Sequence, residues 1–326
     1  MHVLITGGAG FIGSHLAEYH LRRGDAVYVV DNLSTGSQDN LELLIQYDAF
    51  QYEIADLLTW DKLTDAVIWS DRIYHLAAVV GMFRVLEDPL TVLESNIGGC
   101  QRLLQTIAAN HRNQRVMIAS SSEVYGATTQ QASTEDALLL LKSSAHSQWN
   151  YAVSKLANES FSLAYARKNA TRITIVRLFN TIGPRQRGNY GMVVPRLIQQ
   201  ALIGEPITVY GDGNQTRSFC DVRDTVIMLD LLLNNPHSVN TIVNLGGDRE
   251  ISINQLALLI KQITQSNSPI AHISYADAYG EIVDDKPLRR PCLNKLRSLI
   301  NYNNQWSLED TIQDLGILKK STKFQQ

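Results

Sequence analysis

The chain has 326 residues, more than one average domain needs, and its 44% hydrophobic and 19% charged content supplies a sizeable core, which excludes a disordered chain, a disulfide-stapled miniprotein and a coiled coil. A net charge of −3 gives no basic surface for phosphodiesters or anionic headgroups, so neither nucleic acid nor membrane is expected as a partner. Cys100, Cys220 and Cys292 stand far apart without zinc or disulfide spacing, and Met1 leads through His2 straight into Val3-Leu4-Ile5, so the expectation is a metal-free protein of the reducing cytoplasm.

In chain order, Val3 to Thr6 reads as the first strand, then His15 to Arg22 as a helix and Val27 to Asp31 as the second strand. A third strand is expected to end at Asp56-Leu57, and a fourth spans Arg72 to Leu76. A helix over Thr91 to Ala109, a strand over Arg115 to Ser120, a helix over Tyr151 to Lys168 and a strand over Arg172 to Arg177 follow. The strands are apolar at nearly every position rather than alternating, as strands covered by helices on both faces must be. The expected fold is therefore an α/β doubly wound parallel sheet. Beyond residue 180, Gly183-Pro184, Gly188, Gly191, Pro195, Gly204, Pro206, Gly211 and Gly213 cut the chain into short segments suited to shaping a ligand site. One more strand, Thr241 to Leu245, ends at Gly246-Gly247, and Ser252 caps a helix over Ile253 to Ile263. The two lobes, 1–180 and a smaller mixed α/β lobe over 181–326, are thus expected to interleave in part, with Lys319 to Gln326 frayed.

Gly7, Gly10 and Gly13 lie in Thr6-Gly7-Gly8-Ala9-Gly10-Phe11-Ile12-Gly13, between the first strand and the first helix. Glycine lets such a turn take positive φ and lets backbone amides approach a pyrophosphate at a helix N-terminus, where the helix dipole favours an anion. Gly7, Gly10, Phe11, Ile12 and Gly13 are the candidate phosphate contacts of a Rossmann-like site. Asp31 closes the second strand, where an acid accepts from ribose hydroxyls and repels a 2′-phosphate, so NAD is expected rather than NADP. Asn32, Asp56 and Leu57 are candidates near the adenosine, and Ala77 and Ala78, after His75 on the fourth strand, leave room for the dinucleotide. His75 itself reads as a packed core histidine.

Tyr151 and Lys155 stand four residues apart on one helix face, so a phenol and an ammonium can meet. A neighbouring cation favours the phenolate and makes it a base near neutral pH. Ser120-Ser121-Ser122-Glu123 follows the fifth strand at the sheet edge where open α/β sheets bind ligands.

Taken in order, T-G-G-A-G-F-I-G, D-N-L-S-T-G, H-L-A-A, S-S-S-E-V-Y-G, Y-A-V-S-K, R-L-F-N-T-I-G-P-R and V-Y-G-D-G-N-Q-T-R-S-F resemble the extended short-chain dehydrogenase/reductases that act on nucleotide sugars: 4-epimerases, 4,6-dehydratases and glucuronate decarboxylases. The resemblance spans roughly residues 1 to 300. It implies that Tyr151 is the base, Lys155 its tuner and ribose anchor, and Ser121 the hydroxyl partner. It also implies an NAD-binding domain over 1–180 and a nucleotide-sugar lobe over 181–326. In the second lobe it assigns Asn180 to the sugar and diphosphate, Val193 and Tyr210 to the nucleotide base, and Arg217 and Arg289 to the diphosphate. A homodimer through the two long helices is a further implication. Cys292 departs from the acid common after R-x-P in the decarboxylases, and Ser121 from the threonine common in dehydratases.

All these branches begin by oxidising the sugar at C4. An epimerase then needs no further acid or base, a 4,6-dehydratase would use Glu123 to remove the C5 proton, and a decarboxylase would use Ser122 and Glu123 while the C4 ketone takes up electrons. The Tyr-Ala-Val-Ser-Lys segment resembles epimerases and guanosine-sugar dehydratases more than decarboxylases, and a UDP-sugar 4-epimerase is the first expectation. The two lyases are the alternatives, and an NAD-binding regulator without turnover is the outside case. The epimerase expectation makes Glu123 dispensable.

Overall fold

A computed structural model describes residues 1–110, 113–127, 132–144, 146–188, 192–279 and 289–323. Of the sequence expectations, Gly191 and residues 324–326 fall outside these.

Seven strands, β1 (His2–Thr6), β2 (Ala26–Asp31), β3 (Phe50–Ile54), β4 (Arg72–His75), β5 (Arg115–Ser121), β6 (Arg172–Leu178) and β11 (Thr241–Leu245), form one parallel sheet in the order β11-β6-β5-β4-β1-β2-β3. It is the Rossmann-like sheet expected from the near-continuous apolar runs. The reason those runs are continuous is visible in β1: Val3 and Ile5 enter one buried cluster with Leu16, Leu229 and Leu232, while Leu4 enters another with Leu103, Leu104 and Ile107. Alternate side chains of a strand serve opposite faces, and both faces here are covered. Helices α1 (Phe11–Arg22) and α8 (Val222–Asn234) cover the first face, and α3 (Leu63–Trp69), α5 (Pro89–Asn110) and α6 (Asn150–Asn169) the second. The order turns back at β1, where Thr6 lies opposite Val30 of β2 and His75 of β4, so the crevice at the strands' carboxyl ends falls beside the glycine turn.

Several boundaries differ from expectation. The first helix begins at Phe11, four residues earlier than expected, its first turn serving the glycine cradle while Phe11 and Ile12 pack against the core. β3 stops at Ile54, and Asp56 lies in the turn beyond it. The last helix, α12 (Leu308–Lys323), continues through part of the stretch expected to fray.

The remaining strands are short: β7 (Thr181–Ile182) pairs with β10 (Cys220–Asp221), β8 (Ile207–Tyr210) with β13 (Ile270–Ile273), and β9 (Thr216–Ser218) with β12 (Glu250–Ser252). They surround a third cluster made by Leu197 and Ile198 of α7 (Val193–Ile203), Leu256 and Ile260 of α9 (Ile253–Thr264), and Ile312 and Leu315 of α12. Ser252 does cap α9: its hydroxyl accepts from Gln255 N while the Gln255 side chain accepts from Ser252 N, a capping box. The chain thus crosses back, because β11 and α8 from its second half complete the first sheet. Among the described residues no helix is long and apolar enough to cross a membrane.

Candidate functional site

The carboxyl ends of β1, β2, β4, β5 and β6 open onto a cleft of about 540 Å³, lined by every residue named above as a site candidate. At one end the glycines are sterically required. Gly7 has φ +77°, and a Cβ there would lie 2.6 Å from the Ala77 amide nitrogen; one on Gly13 would overlap the Gly7 carbonyl oxygen. Any side chain would wedge the first turn away from β4 or fill the cradle itself. The N-cap residue Gly10 has no side chain to cap α1, which leaves the first-turn amides of Phe11, Ile12 and Gly13 for an anionic ligand. Asp31 is pinned at the end of β2, its two carboxylate oxygens accepting from Ala9 N at 3.0 Å and Leu33 N at 2.8 Å. Burial pushes its carboxyl up and the backbone N–H groups pull it down. Asn32 donates to Asp56 at 2.9 Å, and Asp56 accepts from Leu58 N at 2.8 Å. A backbone cradle followed by a fixed acid suits the diphosphate and adenosine ribose of NAD, so this chain's residues fit that cofactor.

At the centre, Ser121 ends β5, and its hydroxyl accepts from Glu123 N at 3.2 Å to start the single 3-10 turn Ser122–Tyr125. Lys155 projects from α6 one turn past Tyr151, donates to Ala119 O at 2.8 Å and lies 5.8 Å from the Tyr151 ring centre. Burial lowers its pKa to about 8. Burial, and then the charge of Glu123, push the Tyr151 phenol up, against a hydrogen bond with Ser121. Glu123 is paired with Arg289, Oε1 to Nη1 at 2.5 Å, while the buried Nε of Arg289 has no hydrogen-bond partner among the described residues. The family resemblance implies a diphosphate role for Arg289; the structure joins it to Glu123, beside the Tyr151 phenol. His75 is buried as expected, its Nδ1 2.8 Å from the Thr6 hydroxyl, and burial lowers its pKa to about 3, leaving it a neutral member of the cleft wall.

At the far end, Asn180 donates to Ser218 O at 3.0 Å, and Arg217, on β9 and 8% exposed, donates to Thr216 O at 2.7 Å. The Arg196 guanidinium stacks 3.9 Å from the Tyr210 ring centre. Tyr279 meets Tyr210 edge-on at 5.5 Å and stacks on Tyr275 at 6.3 Å, and Gln215 donates to both Tyr210 O and the Tyr275 hydroxyl at 2.9 Å. Only Tyr210 of these aromatics is marked in the sequence, since nothing in the spacing of Tyr275 and Tyr279 distinguishes them from surface tyrosines. Equally unmarked is Glu159, one turn beyond Lys155, which accepts from Arg177 Nε at 2.9 Å and Nη2 at 2.8 Å and from the Ser120 hydroxyl at 2.5 Å. The four-residue step that links Tyr151 to Lys155 continues to Glu159 and was the available signal. Among the described residues no group of acidic, histidine and cysteine side chains could hold a metal ion.

Residues 3–246 match the profile of the NAD-dependent epimerase/dehydratase family. The chain is 38% identical to the UDP-N-acetyl-α-D-glucosaminuronate decarboxylase of Bacillus cytotoxicus, over 95% of this chain and 96% of that one. It is 36% identical to UDP-glucuronic acid decarboxylase 1 of Xenopus tropicalis, over 94% of this chain and 69% of the relative. Among solved structures it is similar to the UDP-glucuronic acid 4-epimerase from Bacillus cereus in complex with UDP-glucuronic acid and NAD, with a TM-score of 0.88, 28% identity and coverage of 99% of this chain and 100% of that one.

Proposed function

From the premise that this chain belongs to the NAD-dependent epimerase/dehydratase family, we propose that it oxidises a UDP-linked hexuronic acid at C4 and then removes its carboxylate as carbon dioxide. The observation that carries this reading is the Glu123–Arg289 pair beside Tyr151. Both a carboxylate and a guanidinium stand where 4-epimerisation alone moves no proton, whereas decarboxylation must hold a carboxylate and deliver a proton to C5. The names of the Bacillus and Xenopus relatives support it.

In this mechanism the Tyr151 phenolate takes the C4 hydroxyl proton, with the Ser121 hydroxyl sharing the same oxygen. The Lys155 ammonium favours the phenolate and anchors the cofactor ribose. Bound NAD supplies the hydride acceptor for C4 and the hydride that restores the alcohol. Once C4 is a ketone, the electron pair of the C5–carboxylate bond moves toward that carbonyl as carbon dioxide leaves. The free N–H of Arg289 orients the departing carboxylate, Ser122 lines the same wall, and Glu123, ionised in its pair with Arg289, relays to C5 a proton taken up from solvent. Asn180, Arg217, Val193 and Tyr210 hold the UDP part, and two chains associate through α5 and α6.

A 4-epimerase acting on the same uronic acid is the second reading, favoured by the Tyr-Ala-Val-Ser-Lys segment and by the Bacillus cereus epimerase fold. A 4,6-dehydratase would need a C6 hydroxyl, which a uronic acid lacks. One experiment separates them: incubation with UDP-glucuronic acid and UDP-N-acetylglucosaminuronic acid in heavy water, with product mass spectrometry. Carbon dioxide and a UDP-pentose carrying one deuterium at C5 are expected. A C4-inverted hexuronate without deuterium would replace this proposal by the epimerase.

A further inference from the structure

Asn244 lies in the middle of β11, fully buried and outside the lining of the cleft. A buried amide must place one acceptor and two donors, and each unmade bond is costly. Its partners are not those of an ordinary sheet residue. Oδ1 accepts from the Tyr125 hydroxyl at 2.7 Å, and Nδ2 donates to Ser133 O at 2.9 Å and to Cys292 O at 3.4 Å. The segments it touches are themselves laced together: Ser133 N donates to Arg290 O at 2.9 Å, Cys292 N donates to Ser133 O at 2.8 Å, and the backbone N–H of Asn244 is taken by the Glu135 carboxylate at 2.8 Å.

Two of these partners stand immediately beside the reactive pair. Tyr125 ends the one-turn 3-10 segment that carries Glu123, so its hydroxyl fixes the far side of that turn while Ser121 fixes the near side. Cys292 is three residues past Arg289, and its carbonyl and amide tie the chain leaving Arg289 to β11 and to Ser133. One side chain therefore holds both backbones that present the Glu123–Arg289 pair. β11 is part of the seven-stranded sheet, with Asn244 in register with Arg177 of β6, and Arg177 lies 4.8 Å from the Tyr125 ring centre. The anchor is thus the rigid sheet rather than another loop.

We infer that Asn244 is a positioning residue that sets the register of Glu123 against Arg289. The inference rests on the reading that these two act at C5. It deepens that reading by making the later step depend on Asn244, while the groups of the C4 oxidation, Tyr151 and Lys155 of α6 and Ser121 at the end of β5, are held by other elements. A pair that transfers a proton only when correctly placed loses up to about 10²-fold for an ångström of misplacement.

The test uses the full-length protein in three forms, Tyr125→Phe, Asn244→Ser and Glu123→Gln, mixed with UDP-glucuronic acid. Tyr125→Phe keeps the ring and deletes only the hydroxyl, so it remains informative if Asn244→Ser folds poorly. For both positioning variants the absorbance of reduced nicotinamide should appear at the wild-type rate and build up, while carbon dioxide release falls roughly tenfold or more in kcat with KM little changed. Equal losses in both steps mark a merely structural residue and overturn the proposal. If Glu123→Gln stops carbon dioxide release but Tyr125→Phe does not, the positioning role falls and the decarboxylase reading stands. If Glu123→Gln leaves release untouched, the reading of Glu123 falls and the positioning role is decided by amide hydrogen exchange. Exchange should then rise together at 122–125 and 290–292 in Tyr125→Phe and Asn244→Ser; a rise at one segment only, or at neither, overturns the proposal whatever the reaction.

Discussion

The glycine turn offers a ligand backbone, whereas the Tyr210 end of the same cleft offers side chains gathered from separate segments. At the turn, Gly7 and Gly13 have no substitute, because a Cβ on either would overlap the backbone around it, and Asp31 is held by main-chain amides. At the other end, Arg196, Tyr210, Gln215, Tyr275 and Tyr279 hold one another by stacking and by side-chain hydrogen bonds. Positions constrained by backbone geometry admit few residue types. Positions constrained by mutual packing admit many, provided that the partners change together.

The sharpest way to break this contrast is Tyr151→Phe. It deletes one oxygen and leaves the cradle alone, so turnover should fall by about 10²-fold or more while NAD content after purification stays at the wild-type level. Loss of NAD along with activity would mean that the cofactor end leans on the catalytic side chain after all.

Next in size is Leu256→Ala, in the cluster under the aromatic end. Leu256 is fully buried against Leu197 and Ile260, so the truncation should cost about 2–5 kcal/mol in urea unfolding. It should also weaken UDP binding more than NAD binding, measured by calorimetry; equal weakening would show that the two ends of the cleft are not held separately.

Asp31→Asn should act at the other end and be smaller. Removing the charge facing the ribose relieves repulsion of a 2′-phosphate, so the preference for NAD over NADP should shrink by about tenfold, read from the two dissociation constants.

A further effect is in pH. In the proposed mechanism the Lys155 ammonium is the form that supports the phenolate, and its displaced pKa of about 8 lies below the ordinary lysine value. The charged form is therefore lost as pH rises through about 8. The initial rate should decline above that pH by a factor approaching ten per unit, and a rate constant to pH 10 would show that bound cofactor restores the ordinary lysine range.

These differences explain what the sequence made legible. The doubly wound parallel sheet followed from apolar strands and crossover helices, though its strand order and the return of β11 did not, and the glycine cradle, Asp31, Tyr151 and Lys155 stood out through short local motifs. Glu159 and Arg177 went unnoticed because their pairing joins a helix to a strand, and Tyr275 and Tyr279 because tyrosines on a short helix carry no spacing signal. Arg289 and Glu123 were both noticed, yet their pairing was not foreseen, since they lie 166 positions apart and only the folded chain brings them into contact.

The return of β11 to the first sheet has a consequence for how the protein is made. A nascent chain that has emerged only through β6 has an unpaired strand edge, and one face of its sheet still lacks Val226, Leu229 and Leu232 of α8. Such an edge is a template for pairing with other chains. Completion must wait until the ribosome has passed Leu245, so the interval between β6 and β11 is the period of greatest exposure to aggregation and the stage at which a chaperone would matter most. A stop codon or protease cut near residue 180 would not release a finished cofactor-binding unit; it would prolong that exposed state indefinitely.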